Sequence, residues 1–576
     1  MSWSKHLLQS FAVMAAVLFA AGPAQSDGAH GGDPLRGAKN LPARQKVDFI
    51  LGQDGDTLRN FKVNVLDQDR RFPRPAGTTL YVSLNGITPN DGPWSAVDFR
   101  VGRSQFEEVL SDYGGAFAIG LEMIDYSQDL NSEDRNLTSK AIAGDPSVDP
   151  EVVARYRRWV DELILYAKAT RREVFLRIGY EFDGHWNNYE PESYKAAFRY
   201  IHRRIRELRA HKVATVWQTA AWANAIPEKP VVGADKYAVA AAVAAGEEVA
   251  FWDQWYPGDD VVDWMGVSQF MTENFLRPGG PYDCDHGVNV TLAPPRDVQD
   301  AFLDYARAHN KPVIVAEAAP AGYDIGELTV ACRFLEGAPW DNKTPVTAEE
   351  IWNEWFQPSF DYVRENRDII RAFAYINADW DSQLNWVCTA PDVCNDNYWG
   401  DSRVEANPEI LARFEAELRD RSLWVVNPRR PRPFEGPDFS KGRGVYEAEY
   451  AEADTWLDCC GLGGLPQVNL AASNEREVMI MNFGDGGSGT YGIDFERVRR
   501  GRGITVTING LASSPDNSFS VLVNGQTVAG PVPVPTGGFQ DLHFDVRVPH
   551  RATVRVELNP NSGGDLLWID KIEVTR

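Results

Sequence analysis

Hydrophobic positions between residues 45 and 420 follow two alternating patterns. Short runs of apolar and β-branched residues alternate with longer segments in which apolar residues recur at three- and four-residue spacing, as in amphipathic helices. Helical spacing is clearest at 150–170, 191–211, 298–310 and 348–366. Eight strands that alternate with helices predict parallel pairing and a closed (β/α)₈ barrel. The candidate strands are 49–52, 80–84, 117–123, 174–181, 215–219, 264–269, 312–317 and 371–377.

The pattern changes after the predicted barrel. Residues 425–443 are rich in proline and arginine and lack periodicity, which is typical of a linker. Short β-rich runs separated by Gly, Asn and Pro then continue to residue 576, which predicts an all-β sandwich over 444–576. Its candidate strands are 478–482, 503–508, 519–523, 542–548, 553–558 and 566–574.

The N-terminus has the features of a secretory signal peptide. Lys5 precedes an apolar run over 11–21, and small residues follow at 24–26. We therefore expect a signal peptide over 1–26, a barrel domain over 27–424, and a secreted (extracellular or periplasmic) protein that is free of the membrane. Six cysteines in an exported chain suggest disulfides. Cys388 with Cys394 and Cys284 with Cys332 are candidate pairs, and the adjacent Cys459 and Cys460 bond either to each other or elsewhere.

Charge narrows the choice of partners. The chain has 58 Lys and Arg residues against 82 Asp and Glu residues, a formal net charge of −24. Nucleic-acid binding needs a basic surface, so this balance argues against it. No Cys-x-x-Cys or His-Glu-x-x-His motif occurs, so no catalytic metal is expected. We expect a monomer whose partner is a polysaccharide, for the reasons given next.

Two glutamates end predicted barrel strands. Glu181 ends the fourth strand and Glu317 ends the seventh, and the C-terminal ends of barrel strands form the active-site face. Hydrolysis of a glycosidic bond needs two carboxylates, one to protonate the leaving oxygen and one to attack the anomeric carbon. We predict that Glu181 is the general acid/base and Glu317 the nucleophile of a retaining endo-β-glycanase that needs no cofactor for catalysis. A separation of about 5–5.5 Å between the two carboxyl groups would mean retention of configuration, and exo action remains open.

Residues near Glu181 strengthen this interpretation. Arg177 precedes Glu181 by four and would face the barrel interior, where it can hold a carboxylate ionised or serve as a structural ion pair. Trp186 follows by five and offers a ring that can stack on a sugar, although a buried core tryptophan is the alternative. Substrate contacts are predicted for both, and for Tyr180, Asp183, Trp217, Trp255, Asp379 and Trp380.

Three motifs resemble glycoside hydrolase family 26. Arg177, Glu181, the run 182–184 and Trp186 match the Arg-x-x-His-Glu-aliphatic-Asn-Gly-x-Trp frame of that family, with Asp183 for Asn. The run 256–259 matches Tyr-Pro-Gly-Asp, and 263–267 matches Asp-Trp-x-Gly-Val. The resemblance covers roughly residues 45–420. It implies a (β/α)₈ hydrolase with its two catalytic glutamates on strands four and seven.

The sequence also departs from that family. Tyr180 stands where its mannanases have His, and Phe270 stands where the family has a Tyr that hydrogen-bonds the nucleophile. The aromatic run after the Trp is replaced by 187–189, Asn-Asn-Tyr. β-Mannan, β-1,3-xylan and other neutral glycans remain open as substrates. Loss of activity, leaving a carbohydrate-binding protein, and action on the cell's own exopolysaccharide are the alternatives.

The C-terminal segment resembles carbohydrate-binding modules of families 6 and 35. It begins with 445–449, Val-Tyr-Glu-Ala-Glu, and ends with 567–574, Leu-Trp-Ile-Asp-Lys-Ile-Glu-Val. The resemblance implies a structural Ca²⁺ bound by Glu447, Glu449 and Asp570, an all-oxygen ligand set that suits this ion. Exposed charges on strands are the alternative interpretation.

Overall fold

The structure is a computed structural model of the whole chain. All six cysteines and the predicted signal peptide lie outside the residues that it describes, so the disulfide and secretion predictions remain predictions. The described residues are 33, 35–84, 103–124, 136–184, 186, 187, 189–221, 224, 225, 238–276, 290, 291, 293–331, 343–383, 398–429, 431, 434, 445–447, 452, 453, 457, 458, 461, 462, 465–468, 477–482, 491–498, 500–510, 518–535, 538–558 and 566–575.

Eight parallel strands form a closed barrel. Each strand pairs with the next along the chain, and the eighth pairs with the first, so that Phe49 lies opposite Phe373. This closure confirms the predicted (β/α)₈ barrel. The strands are β1 Val47–Leu51, β2 Gly77–Ser83, β3 Ala116–Glu122, β4 Val174–Ile178, β5 Val213–Thr219, β6 Trp264–Gln269, β7 Val313–Ala318 and β8 Ile370–Tyr375.

Helices surround the barrel and start at recognisable capping residues. Pro150 opens one helix behind Asp149, whose side chain accepts a hydrogen bond from the Glu151 amide. Thr347 and Glu350 form a reciprocal capping box at another. The main helices are Gly55–Phe61, Arg103–Asp112, Leu137–Ala143, Pro150–Ala169, Pro191–Glu207, Ala238–Ala245, Glu248–Trp255, Pro295–Ala308, Ala348–Ile351, Gln357–Glu365 and Pro408–Leu418, with π turns at Lys62–Leu66 and Trp352–Phe356. No helix among the described residues is long and apolar enough to span a bilayer.

The barrel core has two layers. Outward-facing strand residues pack against the helices in one large cluster, whereas a small cluster of Ala, Ile, Val and two aromatic rings fills the barrel interior. Phe175 of β4 and Trp264 of β6 meet edge to face there, with ring centroids 4.9 Å apart. These rings fill the barrel interior below the C-terminal ends of the strands. Polar side chains between the rings and those strand ends therefore line the bottom of the barrel mouth.

The C-terminal segment forms two antiparallel sheets over one apolar core. Ile504 and Val506 of one sheet share this core with Ile493, Phe519 and Val554 of the other. This arrangement agrees with the predicted β domain. One sheet contains Val445–Glu447, Leu465–Val468, Glu477–Asn482, Gly503–Gly510, Gln540–Phe544 and Leu566–Thr575, and the other contains Glu452–Ala453, Tyr491–Val498, Ser518–Val523, Gln526–Pro533 and Ala552–Leu558.

The beginning of the predicted linker lies against the barrel. Trp424–Val425 forms a short ninth strand, β9, parallel to β1. The Asn427 side chain accepts a hydrogen bond from the Arg74 amide at 2.7 Å. Further on, the Phe434 ring packs edge to face on Tyr166. The first part of the Pro- and Arg-rich segment therefore packs on the barrel, although its sequence has no helix or strand periodicity.

Candidate active site

Glu317 and Arg177 form a buried ion pair inside the barrel mouth. Arg177 Nη1 donates to Glu317 Oε1 at 2.6 Å, and the Arg177 side chain is fully buried. Arg177 Nη2 donates to Thr79 Oγ1 at 3.2 Å. A buried guanidinium in such contact favours the ionised form of its carboxylate partner. The geometry therefore suits Glu317 to act as an anionic group.

A β-bulge turns Glu317 towards the interior. Val313 and Val315 of β7 face the helices, whereas Ile314 and Ala316 face the barrel interior. Simple alternation would point Glu317 outward with Val315. The register between β6 and β7 instead moves from Val267–Val315 to Ser268–Glu317, which leaves Ala316 unpaired. The extra residue re-aims the next side chain, so that Glu317 reaches Arg177.

Glu181 lies beyond its strand rather than at the strand end. β4 ends at Ile178, and Gly179 and Glu181 both have positive φ values, 54° and 50°. Asn187 Nδ2 donates to the backbone carbonyl oxygens of Tyr180 (3.0 Å) and Glu181 (2.9 Å), which holds this turn. A non-glycine residue with positive φ is strained and needs such support. The predicted strand 174–181 was therefore three residues too long.

Two donors fix the Glu181 carboxylate. Ser268 Oγ donates to Oε1 at 2.7 Å, and Trp186 Nε1 donates to Oε2 at 2.9 Å. Burial raises the pKa of Glu181 well above its ordinary value, the negative charge of Glu317 raises it further, and the two hydrogen bonds oppose this rise. Glu181 is thus better suited than an ordinary glutamate to act as a proton donor.

The two glutamates are connected through strands β5 and β6. Gln218 Oε1 accepts a hydrogen bond from Arg177 Nη1 at 3.1 Å, and Gln218 Nε2 donates to Ser268 Oγ at 3.1 Å. Sequence reasoning missed Gln218 and Ser268. Their signal was present, since both are polar residues near the C-terminal ends of strands predicted to be buried on both faces.

Tyr81 was also missed, although it contacts the same charged pair. The Arg177 guanidinium carbon lies 4.5 Å from the centroid of the Tyr81 ring. Burial raises the pKa of Tyr81 well above its ordinary value, and hydrogen bonding to both Arg177 and Glu317 also influences it. Phe270 has no hydroxyl, so its side chain cannot donate a hydrogen bond to Glu317. Its ring packs against Trp399, with centroids 5.0 Å apart.

Gly120 makes room for Tyr81 and Arg177, and its replacement by alanine should impair the site. Gly120 lies opposite both residues in the sheet. An added Cβ would come within 2.6 Å of Tyr81 Cδ1 and 2.8 Å of Arg177 Nη2. Because a shift of about 1 Å at a reacting group can cost about 100-fold in rate, we expect Gly120→Ala to lower kcat/KM by roughly 10- to 100-fold. Unchanged kinetics in a variant with unchanged thermal unfolding would show that the pair tolerates displacement.

Asp183 and Tyr180 contact protein groups around the acid/base turn. Asp183 Oδ2 accepts from Thr219 Oγ1 at 2.5 Å and Oδ1 from the Ala220 amide at 2.6 Å. Asp183 therefore ties the turn after β4 to the end of β5, and its contact with substrate stays a prediction. The Tyr180 ring meets Tyr81 edge to face, 5.2 Å between centroids, at the floor of the mouth.

Trp217 and Trp255 are core residues, which corrects their prediction as substrate platforms. Trp217 is fully buried and stacks on Phe182, with centroids 4.4 Å apart and the rings within 8° of parallel. Trp255 is 3% exposed and packs against Phe182 and Tyr194. Trp217 faces the helical layer because its neighbour Gln218 faces inward, so neither ring presents a face to a sugar.

Asp379 and Trp380 lie after β8, on the face that holds the glutamates. Asp379 pairs with Arg403 at 3.0 Å and lines a polar pocket with Asn377 and Asp54. Trp380 is buried at 2% exposure, and its Nε1 donates to Ser402 Oγ at 2.9 Å. Both residues are positioned at the barrel mouth, and their contact with substrate stays a prediction.

The predicted calcium ligands fall outside the described side chains. Glu449 is not described, and only the backbone is described for Glu447 and Asp570. Glu447 lies opposite Lys571 in the sheet. The pairing of Leu566–Thr575 with the neighbouring strand skips Asp570, which makes it a bulge residue. Among the described side chains, no group of three or more potential metal ligands occurs.

Comparisons with known proteins relate the barrel region to curated xylanases. The chain is 32% identical over 378 residues to the β-1,3-xylanase TXYA of a Vibrio species, covering 65% of each chain. It is 31% identical over 382 residues to a β-1,3-xylanase of an Alcaligenes species, covering 66% of this chain and 65% of that protein. The chain thus spans slightly less than two thirds of the length of these relatives. No family model matches.

Solved structures with some likeness include two mannanases. One is a family 26 β-mannanase from Bacteroides ovatus, 14% identical with a TM-score of 0.38, covering 68% of this chain and 94% of that one. The other is a modular endo-β-1,4-mannanase from Cellulomonas fimi, 12% identical with a TM-score of 0.40, covering 89% and 96%. The closed strand pairing itself defines the (β/α)₈ fold. The barrel region itself is similar in sequence to β-1,3-xylanases.

Proposed function

We propose that this protein is a secreted, retaining endo-β-1,3-xylanase with an appended carbohydrate-binding module. One observation carries the proposal. The buried pair of Glu317 with Arg177 lies beside Glu181, whose elevated pKa suits a proton donor. The similarity of the barrel region to two β-1,3-xylanases supports the choice of substrate.

In the first step, Glu317 attacks the anomeric carbon. A Glu317 carboxylate oxygen bonds to that carbon, the bond to the leaving oxygen breaks, and the leaving oxygen takes the proton from Glu181. Arg177 donates to the Glu317 carboxylate and holds it in place before the attack, and the low exposure of both glutamates limits competition by water.

In the second step, Glu181 acts as a base. The ester at Glu317 has no charge, so the repulsion that favoured protonation of Glu181 is gone. Glu181 takes a proton from water, the water oxygen bonds to the anomeric carbon, and the Glu317 carboxylate leaves. The sugar keeps its configuration because the carbon is inverted twice.

The substrate is tested by comparing four glycans. Purified protein would be incubated with β-1,3-xylan, β-mannan, β-1,4-xylan and mixed-linkage β-glucan, and the products would be sized. We expect the highest kcat/KM on β-1,3-xylan, with oligosaccharides of several lengths released early, as endo action requires. Faster cleavage of β-mannan, or release of single sugars from the start, would contradict the proposed substrate or mode of action.

We further propose that the C-terminal domain binds Ca²⁺ through Glu447, Glu449 and Asp570. Oxygen ligands from strand ends suit Ca²⁺, which takes six to eight of them at flexible geometry. The bulge at Asp570 and the pairing of Glu447 beside it are compatible with such a site.

Calcium should raise the melting temperature of the C-terminal domain in the full chain. A ligand at 100 times its Kd stabilises the native state by about 2.7 kcal/mol. We therefore expect a chelator to lower one calorimetric transition by several degrees, and Asp570→Asn to remove that response. Asp545→Asn, at an exposed carboxylate of the same domain, is the matched control and should keep it. If a chelator leaves the unfolding of the wild-type protein unchanged, the proposed calcium site is wrong.

A further inference from the structure

A chain of hydrogen bonds with one possible direction joins Arg177 to Glu181. A guanidinium only donates, so the Gln218 oxygen must face Arg177 and the Gln218 nitrogen must face Ser268. Ser268 Oγ accepts from that nitrogen, and while Oε1 of Glu181 is unprotonated, the single Ser268 proton is donated to it. The positive charge of Arg177 thus sets the orientation of every group up to the acid/base.

We call the hydrogen-bonded series Arg177, Gln218, Ser268 and Glu181 the relay. It is buried, and a neighbouring glycine leaves space for it. Arg177 and Gln218 are fully buried, and Ser268 is 2% exposed, so water screens these interactions poorly. Gly266 lies opposite Gln218, and a Cβ at that position would approach Gln218 Cβ to 2.9 Å. The absence of a side chain at Gly266 therefore leaves Gln218 the space that it occupies.

We propose that Gln218 and Ser268 are positioning residues. Oriented by Arg177, they hold the Ser268 hydroxyl as a donor to Glu181 and so favour the ionised form of Glu181 once Glu317 has become an ester. This inference rests on the proposed function. While Glu317 is anionic, it neutralises Arg177 and repels charge on Glu181, so Glu181 keeps its proton. When Glu317 becomes an ester, Arg177 has lost its counter-charge, and the relay then favours ionised Glu181, the base of the second step.

Ser268→Ala and Gln218→Met should both move the basic limb of the pH profile. A hydrogen bond to an ionised carboxylate favours that form, so its loss raises the pKa of Glu181. On β-1,3-xylo-oligosaccharides, the basic limb of kcat/KM should shift up by about one pH unit. On an activated aryl glycoside, breakdown of the intermediate should slow in the pH range where Glu181 is only partly ionised, and recover at higher pH.

Ser268→Thr retains the hydroxyl and is the matched control, for which we expect an unchanged limb. Thr79→Val removes a contact of Arg177 outside the relay and should also leave the limb in place. A rate loss of the same size at every pH in both Ser268→Ala and Gln218→Met, or an unshifted limb, would overturn the relay. The proposed function has a separate test: if azide fails to restore turnover to Glu181→Ala, the division of roles fails whatever the limb does.

Discussion

Replacement of Glu317 by alanine is expected to lower kcat by a factor on the order of 10⁴ or more on every substrate, activated or not. Without its carboxylate, the covalent intermediate cannot form, and a good leaving group does not compensate for a missing nucleophile. Steady-state assays on an aryl glycoside and on β-1,3-xylan would measure this loss. Retention of activity within about tenfold of the wild type would remove Glu317 from the role.

The control must account for stability, because Glu317→Ala leaves Arg177 buried without its partner. Breaking a buried ion pair costs about 3–5 kcal/mol, so this variant is also expected to unfold at a lower temperature. Glu317→Gln keeps an oxygen acceptor for Arg177 and should lose as much activity with less destabilisation. Glu349→Ala, at an exposed carboxylate on an outer helix, should change neither property.

Replacement of Glu181 by alanine is expected to have a different signature. A good leaving group needs little protonation, so glycosyl-enzyme formation from an activated aryl glycoside should be largely retained, whereas cleavage of β-1,3-xylan should fall by roughly 10²- to 10⁴-fold. Azide should accelerate the second step, since a small anion can attack the anomeric carbon without a base.

The pH profile provides a second measurement for Glu181. In the wild type, kcat/KM should be bell-shaped, with limbs that belong to the coupled pair of glutamates. Its basic limb reports loss of the proton from Glu181, and burial beside Glu317 places that limb above the ordinary range of a glutamic acid. Glu181→Ala should lack the basic limb. If Glu181→Ala and Glu317→Ala behave alike on the activated substrate, the assigned roles are wrong.

Strand positions could be predicted because burial on both faces imposes continuous apolar runs. The predicted strand at 264–269 coincides with β6, and other barrel strands differ by a few residues at their ends. Strand β4 was drawn too long because apolar residues continue into a turn whose positive φ values leave no pattern in the sequence.

Side-chain direction was harder to predict than strand position. Alternation from Val315 assigns Glu317 to the outer face, and only the bulge at Ala316 brings it inside. Trp217 was predicted to contact substrate, yet its neighbour Gln218 faces the interior, so Trp217 faces the helices. The direction of one side chain depends on register with neighbouring strands, and register is a tertiary property.

Identification of the residue that becomes covalently bound to the sugar tests the central claim most directly. The enzyme would be incubated with an activated 2-deoxy-2-fluoro glycoside of the β-1,3-xylo-oligosaccharide series, which slows breakdown of the intermediate, and the labelled peptide would be sequenced by mass spectrometry. The account predicts one sugar per chain, attached to Glu317. A label on Glu181 or on any other residue, or turnover with inverted configuration and no label, would contradict it.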